Sequence, residues 1–271
     1  MAHKPICRRE VAPPGRFLAR NAAPNLPWVP APPLGRPRVH LRRTDSTNSL
    51  LRELAGRGAP HGALVTAAEQ TAGRGRQGRT WLAPAGRALL CSVLVRDPRH
   101  LLPLAVGVAV AEVVEDAAPP GRAQIKWPND VLLGERKVAG ILVEGRLQEH
   151  WAVVGIGLNV AVRADQFPPE LRDRVGTLGL EPAAIEPTLE LLMERLERWL
   201  AASEDAVLKA VRARDALFGQ PVSWAGGSGT GAGVDGDGRL IVEAAHGRLV
   251  LDAGEVHLTP TVQEAGGGPG A

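Results

Sequence analysis

The sequence predicts an α+β fold, in which a mixed sheet with helices is followed by a small β-rich domain. Strand-like segments follow one another closely between residues 124 and 160, separated by turn residues. Apolar residues recur at helical spacing in 101–118 and 187–218. After residue 219 the pattern changes to short alternating segments joined by Gly and Asp turns. A chain of 271 residues can bury a core of this size.

The first 38 residues differ in composition from the rest. They contain nine prolines and little periodic apolar pattern, which predicts an extended, disordered leader. They also hold seven Lys or Arg against one Glu, so the net charge of +3 becomes −3 for residues 39–271. We therefore expect no helix-turn-helix in the leader, and no DNA binding. Such a leader also resembles an organelle transit peptide, an alternative that its prolines and scarce serine disfavour.

Cysteine content and hydropathy indicate the compartment. The two cysteines, Cys7 and Cys91, are far apart and lack metal-ligand spacing, so neither disulfides nor a zinc site are expected. Cys91 lies within ALLCSVLV and is expected to be a small buried hydrophobe. The longest apolar stretch, 101–114, is too short to span a bilayer, and the N-terminus lacks the apolar region of a secretory signal. These features predict a cytoplasmic protein without membrane contact.

The elements before the middle of the chain are predicted in order. Residues 45–48, DSTN, offer N-cap oxygens to a helix that ends at Gly56. A strand, ALVTAAEQ, leads into a glycine-arginine loop, and ALLCSVLV follows as a buried strand. The helix of 101–118 stops at two prolines. Helices are expected on one face of the sheet.

The later elements complete a predicted catalytic domain spanning 39–218. Turn residues separate QIKW, VLL and KVAGILVEG, and WAVVGIGLNV follows as another strand. Leucines line one face of the helical region 187–218. Residues 219–261 are expected to form a small barrel, and 262–271 a disordered tail.

The loop GRGRQGRTW, at 73–81, predicts a site for a small anion. Its glycines expose backbone N–H groups, and Arg74, Arg76 and Arg79 supply bidentate donors without any acid within the segment. Two alternatives are a nucleic-acid-binding RGG-type segment and a solvated loop. The position between two apolar strands disfavours the first, because RGG segments form repetitive tails. The spacing does not match a P-loop or a dinucleotide-binding fingerprint.

The segment KWPNDVLLGERKVAGILVEG, at 126–145, predicts a hairpin with charged residues. Pro128 fixes the turn, and the hairpin is expected to bring Lys126, Asp130 and Lys137 to a common edge. One interpretation is an ordinary hairpin whose charges face water. In the other, these charges and the Asn129 amide bind triphosphate oxygens and a Mg²⁺ ion.

Two further motifs have a structural and a functional interpretation. Besides capping a helix, the side chains of DSTN are suited to bind a small polar head group. GIGLNV, at 155–160, is either a plain buried strand or a strand whose glycines let a flat ligand approach the backbone. In the second case Asn159 would supply an amide for hydrogen bonding.

Taken in order, DSTN, EQTAGRGRQGRTW, KWPNDVLL with RKVAGILVE, and VVGIGLNV resemble the motifs of biotin protein ligase. The resemblance covers residues 39 to about 160 by motif and extends to about 260 by domain pattern. It implies a class II aminoacyl-tRNA-synthetase-like catalytic domain followed by a small SH3-like β-barrel. It also implies ATP- and Mg²⁺-dependent transfer of biotin, through biotinyl-5′-AMP, to a lysine of a biotin carboxyl carrier protein of acetyl-CoA carboxylase. A lipoate-protein ligase is the alternative.

The resemblance also implies a role for individual residues. Lys137, Arg74 and Arg76 are the implied catalytic residues. The implied biotin-binding residues are Ser46, Thr47, Asn48, Gln70, Gly73, Arg74, Gly75, Arg76 and Lys137. The implied ATP-binding residues are Arg76, Arg79, Trp81, Lys126, Asn129, Asp130, Lys137 and Asn159, with Asp130 also as metal ligand. Family members that act as repressors carry an N-terminal winged helix-turn-helix, from which this proline-rich leader departs. A homodimer is left open.

Overall fold

The centre of the fold is a seven-stranded mixed sheet. The structure, a computed structural model, describes residues 33–118, 121–146, 149–252 and 254–259. In chain order the strands are β1 (Arg38–Leu41), β2 (Leu64–Ala67), β3 (Ala88–Arg96), β4 (Ala123–Lys126), β5 (Asp130–Leu133), β6 (Arg136–Arg146) and β7 (Trp151–Asn159). Their order in space is β1-β2-β3-β7-β6-β5-β4. Because β1 and β2 run parallel and the other neighbours antiparallel, the predicted mixed sheet is confirmed.

Helices cover both faces of this sheet, so the prediction of helices on one face is wrong. The helices are α1 (Thr47–Gly56), α2 (Leu102–Ala117), α3 (Pro169–Arg172), α4 (Ile185–Ala201) and α5 (Glu204–Arg212). On one face, α2 and α4 pack in the larger core with Val93. On the other, Leu51 of α1 packs against Leu94. Since successive strand residues point to opposite faces, the unbroken apolar run of β3 already required cover on both sides.

The helical region 187–218 contains two helices, α4 and α5. A break at 202–203 separates them, and the Ser203 hydroxyl caps α5 by accepting a hydrogen bond from the Ala206 N–H over 3.3 Å. Leu189, Leu192 and Leu196 form the buried stripe of α4, as the leucine spacing predicts. The other predicted helix, 101–118, is found as α2 and is buried along most of its length, because it lies between the sheet and α4.

After Gly219, whose φ is +72°, the chain forms a five-stranded antiparallel sheet. Its strands, in the spatial order β11-β10-β9-β8-β12, are β8 (Pro221–Trp224), β9 (Gly227–Val234), β10 (Leu240–Ala244), β11 (Gly247–Leu251) and β12 (His257–Leu258). This agrees with the predicted small β-rich region, whereas its classification as an SH3-like barrel stays a prediction. The indole N–H of Trp127 donates to the carbonyl of Gly238 over 3.0 Å and joins this sheet to the main sheet.

The predicted leader overlaps the folded region. Leu34 is buried in the larger core, Gly35 N–H donates to the Gly62 carbonyl over 2.9 Å, and β1 begins at Arg38. The predicted start of the catalytic domain at residue 39 therefore falls after the first strand has begun. Residues 1–32 of the leader, and the predicted tail, lie outside the described residues. Among the residues described, the helices are all too short or too polar to cross a bilayer.

Candidate active site

A cleft of ≈ 660 Å³ lies on the α1 face of the main sheet, and such a volume suits a small-molecule ligand. Its walls are the glycine-arginine loop, the turn between β4 and β5, and residues 254–258 beside the small sheet. Of the fifteen residues implied in binding, all but Gly73 line it, namely Ser46, Thr47, Asn48, Gln70, Arg74, Gly75, Arg76, Arg79, Trp81, Lys126, Asn129, Asp130, Lys137 and Asn159. Motifs dispersed over more than a hundred residues thus meet at one place.

Strand register builds the floor of the cleft. Leu90 of β3 lies opposite Gly157 of β7, which lies opposite Gly140 of β6. The row continues through Asp130 of β5 to Lys126 of β4. Residues opposite one another in adjacent strands share a face of the sheet, so two glycines lie beside an acid and a base on the same surface.

The two glycines of this row make room for the indole of Trp81. A Cβ atom on Gly157 would lie 2.7 Å from Trp81 Cζ2, and one on Gly140 would lie 2.9 Å from Cζ3. The glycines of GIGLNV therefore admit flat groups, as predicted, but the group that lies on Gly157 belongs to the protein itself. The indole N–H is buried and has no hydrogen-bond partner among the described residues. Trp81 thus presents an unused donor within the cleft.

The glycine-arginine loop, residues 73–81, forms a small hairpin. Its neck is closed by the Trp81 N–H, which donates to the Gly73 carbonyl over 2.9 Å, and by the Gly75 N–H, which donates to the Arg79 carbonyl over 2.7 Å. At its tip, Gln77 and Gly78 have φ values of +55° and +74°. Gly73 belongs to the neck and does not line the cleft, because a Cβ there would lie 2.5 Å from the Trp81 carbonyl oxygen.

Acids from distant parts of the chain pair with two of the loop arginines. Arg74 Nη2 lies 2.8 Å from Glu144 Oε1 at the end of β6, and Arg79 contacts Glu255 just before β12. The absence of an acid within the segment therefore does not leave its charges unpaired. Arg76 differs, since its guanidinium forms no ion pair among the described residues and donates to the neutral amide oxygen of Asn129, at 3.4 Å. Burial lowers the pKa of the Arg76 guanidinium.

The N-terminus of α1 forms a polar pocket. Gln70 Oε1 accepts hydrogen bonds from the Thr47 N–H at 2.8 Å and the Thr47 hydroxyl at 3.1 Å. The Ser46 side chain makes no capping bond, so the capping role predicted for DSTN passes largely to Gln70. Asn48 is 3% exposed and rests on Gly155, where a Cβ would lie 2.8 Å from Asn48 Cγ. This end of the cleft is neutral and rich in hydrogen-bonding groups.

The opposite end carries the hairpin charges. As predicted, the turn at Pro128 places Lys126 directly opposite Asp130, and Lys137 Nζ reaches Asp130 Oδ1 at 2.7 Å. Lys137 also lies over the Trp81 ring, 5.5 Å from its centroid. Burial is the main cause that lowers the pKa of Lys126, and Lys137 adds to the effect, while Asp130 opposes it. Lys137 forms the ion pair with Asp130, and Lys126 lies near the same carboxylate without an ion pair of its own among the described residues.

Asn159 completes this part of the cleft. Its Nδ2 donates to the Gly176 carbonyl over 2.9 Å, whereas its buried Oδ1 has no partner in the described structure. An unpaired buried acceptor costs free energy unless a ligand donates to it. Asn159 Oδ1 and the Trp81 N–H therefore provide an acceptor and a donor with capacity for a ligand.

Sequence reasoning missed several site residues, among them Ser92, Glu144 and Glu255. Ser92 is fully buried, with its hydroxyl 2.8 Å from Thr47 Oγ1 and donating to Asn48 Oδ1 at 2.6 Å. As the single hydroxyl in the apolar run of β3 it gave a visible signal. Glu144 and Glu255 gave none, because only the folded chain shows that they meet loop arginines.

Known proteins resemble this chain in sequence and in fold. The sequence profile of the biotin/lipoate A/B protein ligase family matches residues 40–160. A biotin–[acetyl-CoA-carboxylase] ligase of Paracoccus denitrificans is 38% identical over 236 residues, which cover 80% of this chain and 98% of that protein. The corresponding Mycobacterium tuberculosis protein is 35% identical, covering 79% and 86%. The solved structure of a biotin protein ligase from Aquifex aeolicus in complex with biotin and ATP has a TM-score of 0.71 and 28% identity, covering 83% and 100%.

Proposed function

This chain belongs to the biotin protein ligases of the biotin/lipoate A/B protein ligase family, and from that premise we propose that it attaches biotin to a lysine of a biotin carboxyl carrier protein. The reaction uses ATP and proceeds through biotinyl-5′-AMP. The acceptor is the carrier protein of acetyl-CoA carboxylase, the enzyme that the names of the relatives specify.

The polarity of the cleft carries the proposal. One end, around Thr47, Asn48 and Gln70, is neutral and hydrogen-bonding, while the other gathers Lys126, Lys137 and Arg76. Biotin has the same division, because its ureido head is neutral and its valerate chain ends in a carboxylate. The head therefore binds at the α1 end, and the carboxylate points toward the cationic end, where ATP binds.

The cationic end suits the first chemical step. A carboxylate oxygen of biotin attacks the α-phosphorus of ATP, the bond from that phosphorus to the β-bridging oxygen breaks, and pyrophosphate leaves. Both reactants are anionic, so groups that offset their repulsion and the charge growing on pyrophosphate lower the barrier. Lys137 contacts the reacting carboxylate and the α-phosphate, Lys126 and Arg79 the polyphosphate, and Arg76 the adenylate.

The second step needs no nucleophile from this chain. The neutral amine of the acceptor lysine attacks the acyl carbon of biotinyl-5′-AMP, AMP departs with the bonding electrons, and the nitrogen loses a proton. Because the intermediate is a mixed anhydride that water destroys, the loop of residues 73–81 retains it by closing over the cleft. Trp81 and Asn159 take the adenine side, where a base can stack on the indole and donate to Asn159 Oδ1.

Asp130 is the residue that would hold Mg²⁺ with the ATP phosphates. The described residues contain no group of three or more potential metal-binding side chains. A Mg²⁺ ion bound through phosphates needs only one or two carboxylates, so Asp130 fits provided that Lys137 yields the oxygen it now contacts. Such an ion would neutralise charge on the phosphates.

ATP–pyrophosphate exchange tests the proposal directly. The purified full chain should incorporate labelled pyrophosphate into ATP only when biotin is present, and should then biotinylate an apo carrier domain. Lipoate should replace biotin poorly, because the same fold in a lipoate ligase must accommodate a different head group. Exchange supported equally by lipoate, or independent of either acid, would contradict the proposal.

A further inference from the structure

We propose that Glu144 is a positioning residue that couples the head-group pocket to the arginine loop, with one carboxylate oxygen orienting Asn48 and the other anchoring Arg74. This inference rests on the proposed function and refines it, because it separates the roles of the loop arginines. Arg74 acts as the anchor of the loop, and Arg76 remains as the arginine that contacts the adenylate.

The position of Glu144 follows from the sheet. Along β6, Gly140, Leu142 and Glu144 point to the cleft face, and Glu144 is the last of them. Its side chain is 18% exposed, although it is ionisable and carries two separate sets of partners. Charged groups held at this level of burial are normally paired, and both of its oxygens are.

The first oxygen fixes the orientation of the Asn48 amide. Glu144 Oε2 accepts from Asn48 Nδ2 at 2.9 Å, and the Leu142 carbonyl accepts from the same nitrogen at 3.3 Å. Asn48 Oδ1 accepts from the Ser92 hydroxyl at 2.6 Å. A flipped amide would place its oxygen against the carboxylate and the carbonyl, and its nitrogen against a donor. Glu144 therefore fixes the orientation of the Asn48 amide together with the Leu142 carbonyl and the Ser92 hydroxyl.

The second oxygen holds the loop. Glu144 Oε1 lies 2.8 Å from Arg74 Nη2, and 3.5 Å from Arg52 Nη1 of α1. Arg74 precedes the hairpin tip, so its ion pair ties the neck of the loop to β6. The Arg76 guanidinium, beyond the neck, forms no ion pair with the described residues and donates there to the neutral Asn129 side chain, so its charge remains available to a ligand. The same carboxylate thus satisfies Asn48 inside the pocket and Arg74 above it, which links loop closure to pocket geometry.

Substitution of Glu144 separates the two functions. Glu144→Gln keeps an oxygen that can accept from Asn48 but loses the charge that holds Arg74. We expect its biotin Kd to stay within about twofold of the wild type, while free biotinyl-5′-AMP leaks about tenfold faster, as loss of one charge-assisted bond predicts. Glu144→Ala loses both contacts, and should also weaken biotin binding about tenfold.

Arg52→Ala is the matched control. Arg52 also pairs with Glu144, but it lies on α1 outside the loop, so its removal should change neither leakage nor biotin Kd. Combining Arg74→Ala with Glu144→Gln should give no more leakage than either variant alone, because both remove the same bond. Additive leakage, or wild-type leakage in Glu144→Gln, would overturn the inference.

A measurement without any substrate distinguishes this inference from the proposed function. Trypsin cleaves after arginine, so the rate of cutting after Arg76 or Arg79, two sites that all four proteins retain, reports loop release in the ligand-free protein when the cuts are located by mass spectrometry. Glu144→Gln and Arg74→Ala should be cut several-fold faster than the wild type and Arg52→Ala. Equal rates in all four proteins refute the anchor even if biotin transfer proceeds, whereas faster cutting supports it even if no pyrophosphate is released.

Discussion

The glycine beneath Trp81 offers a sharp test of how the cleft is divided. In Gly157→Ala, the new Cβ would lie 2.4 Å from Trp81 Cε2, and 2.7 Å from Cζ2 and Nε1, against 3.4 Å or more for ordinary contact. The indole must therefore move by roughly 1 Å. It cannot slide freely along the sheet, since Gly140 is the only neighbouring position in that row that lacks a side chain. Neither glycine has a positive φ, so contact alone opposes the substitution.

The expected effect falls on the nucleotide. Stacking of a base on an aromatic ring contributes about 1–3 kcal/mol, so a displaced Trp81 should weaken ATP binding by about tenfold. Biotin binding should change little, because the head-group pocket lies under Asn48 and not under Trp81. We would measure the ATP KM by pyrophosphate exchange and the biotin Kd by calorimetry, with thermal unfolding to confirm that the variant is folded.

A second glycine on the same strand provides the control. Gly155→Ala places its Cβ against Asn48 instead, 2.8 Å from Cγ, and should raise the biotin Kd with little change in the ATP KM. Each variant adds one methyl group to β7, at positions two residues apart. A general disturbance of β7 would therefore affect both constants in both variants. That outcome, or an unchanged ATP KM in Gly157→Ala, would refute the assignment of the two ends.

Other predictions address single groups. Lys137→Ala should abolish biotin-dependent pyrophosphate release without unfolding the protein, and near-normal release would contradict its role. Ser92→Ala should weaken biotin binding about five- to tenfold, because it removes the buried hydroxyl between Thr47 and Asn48, and calorimetry would detect this. ATP affinity should fall at high pH with a midpoint below 10.5, because burial lowers the pKa of Lys126 and favours its neutral form, and Lys126→Arg should move that fall upward. Burial raises the pKa of the Cys91 thiol to about 12, so iodoacetamide at pH 8 should label that peptide only after denaturation.

Local chemistry explains which parts of the site could be predicted from the sequence. The turn at Pro128 has a fixed connection length, so the two-stranded register that sets Lys126 opposite Asp130 follows from neighbouring residues. The prediction that these motifs meet at one cleft depended on their resemblance to the motifs of biotin protein ligases. Spacing alone could not have placed Ser46 and Lys137 in one cleft.

Long-range pairing explains what was missed. The partners of Arg74 and Arg79 lie 70 and 176 positions further along the chain, and neither acid has a distinctive sequence context. The helix on the second face of the main sheet was missed for another reason. The apolar run of β3 was correctly interpreted as a buried strand, but its consequence, cover on both faces, was not carried through to the position of α1.

The glycine-arginine loop is fastened at two points, to the main sheet through Arg74 and beside the small sheet through Arg79. Both arginine side chains are about half exposed, at 43% and 51%, so dissolved ions reach these two ion pairs. Screening at 0.15 M salt acts over about 8 Å, whereas the buried bonds around Ser92 are sheltered from it. We therefore expect higher ionic strength to weaken the two ion pairs of the loop and to leave the buried hydrogen bonds of the head-group pocket unchanged.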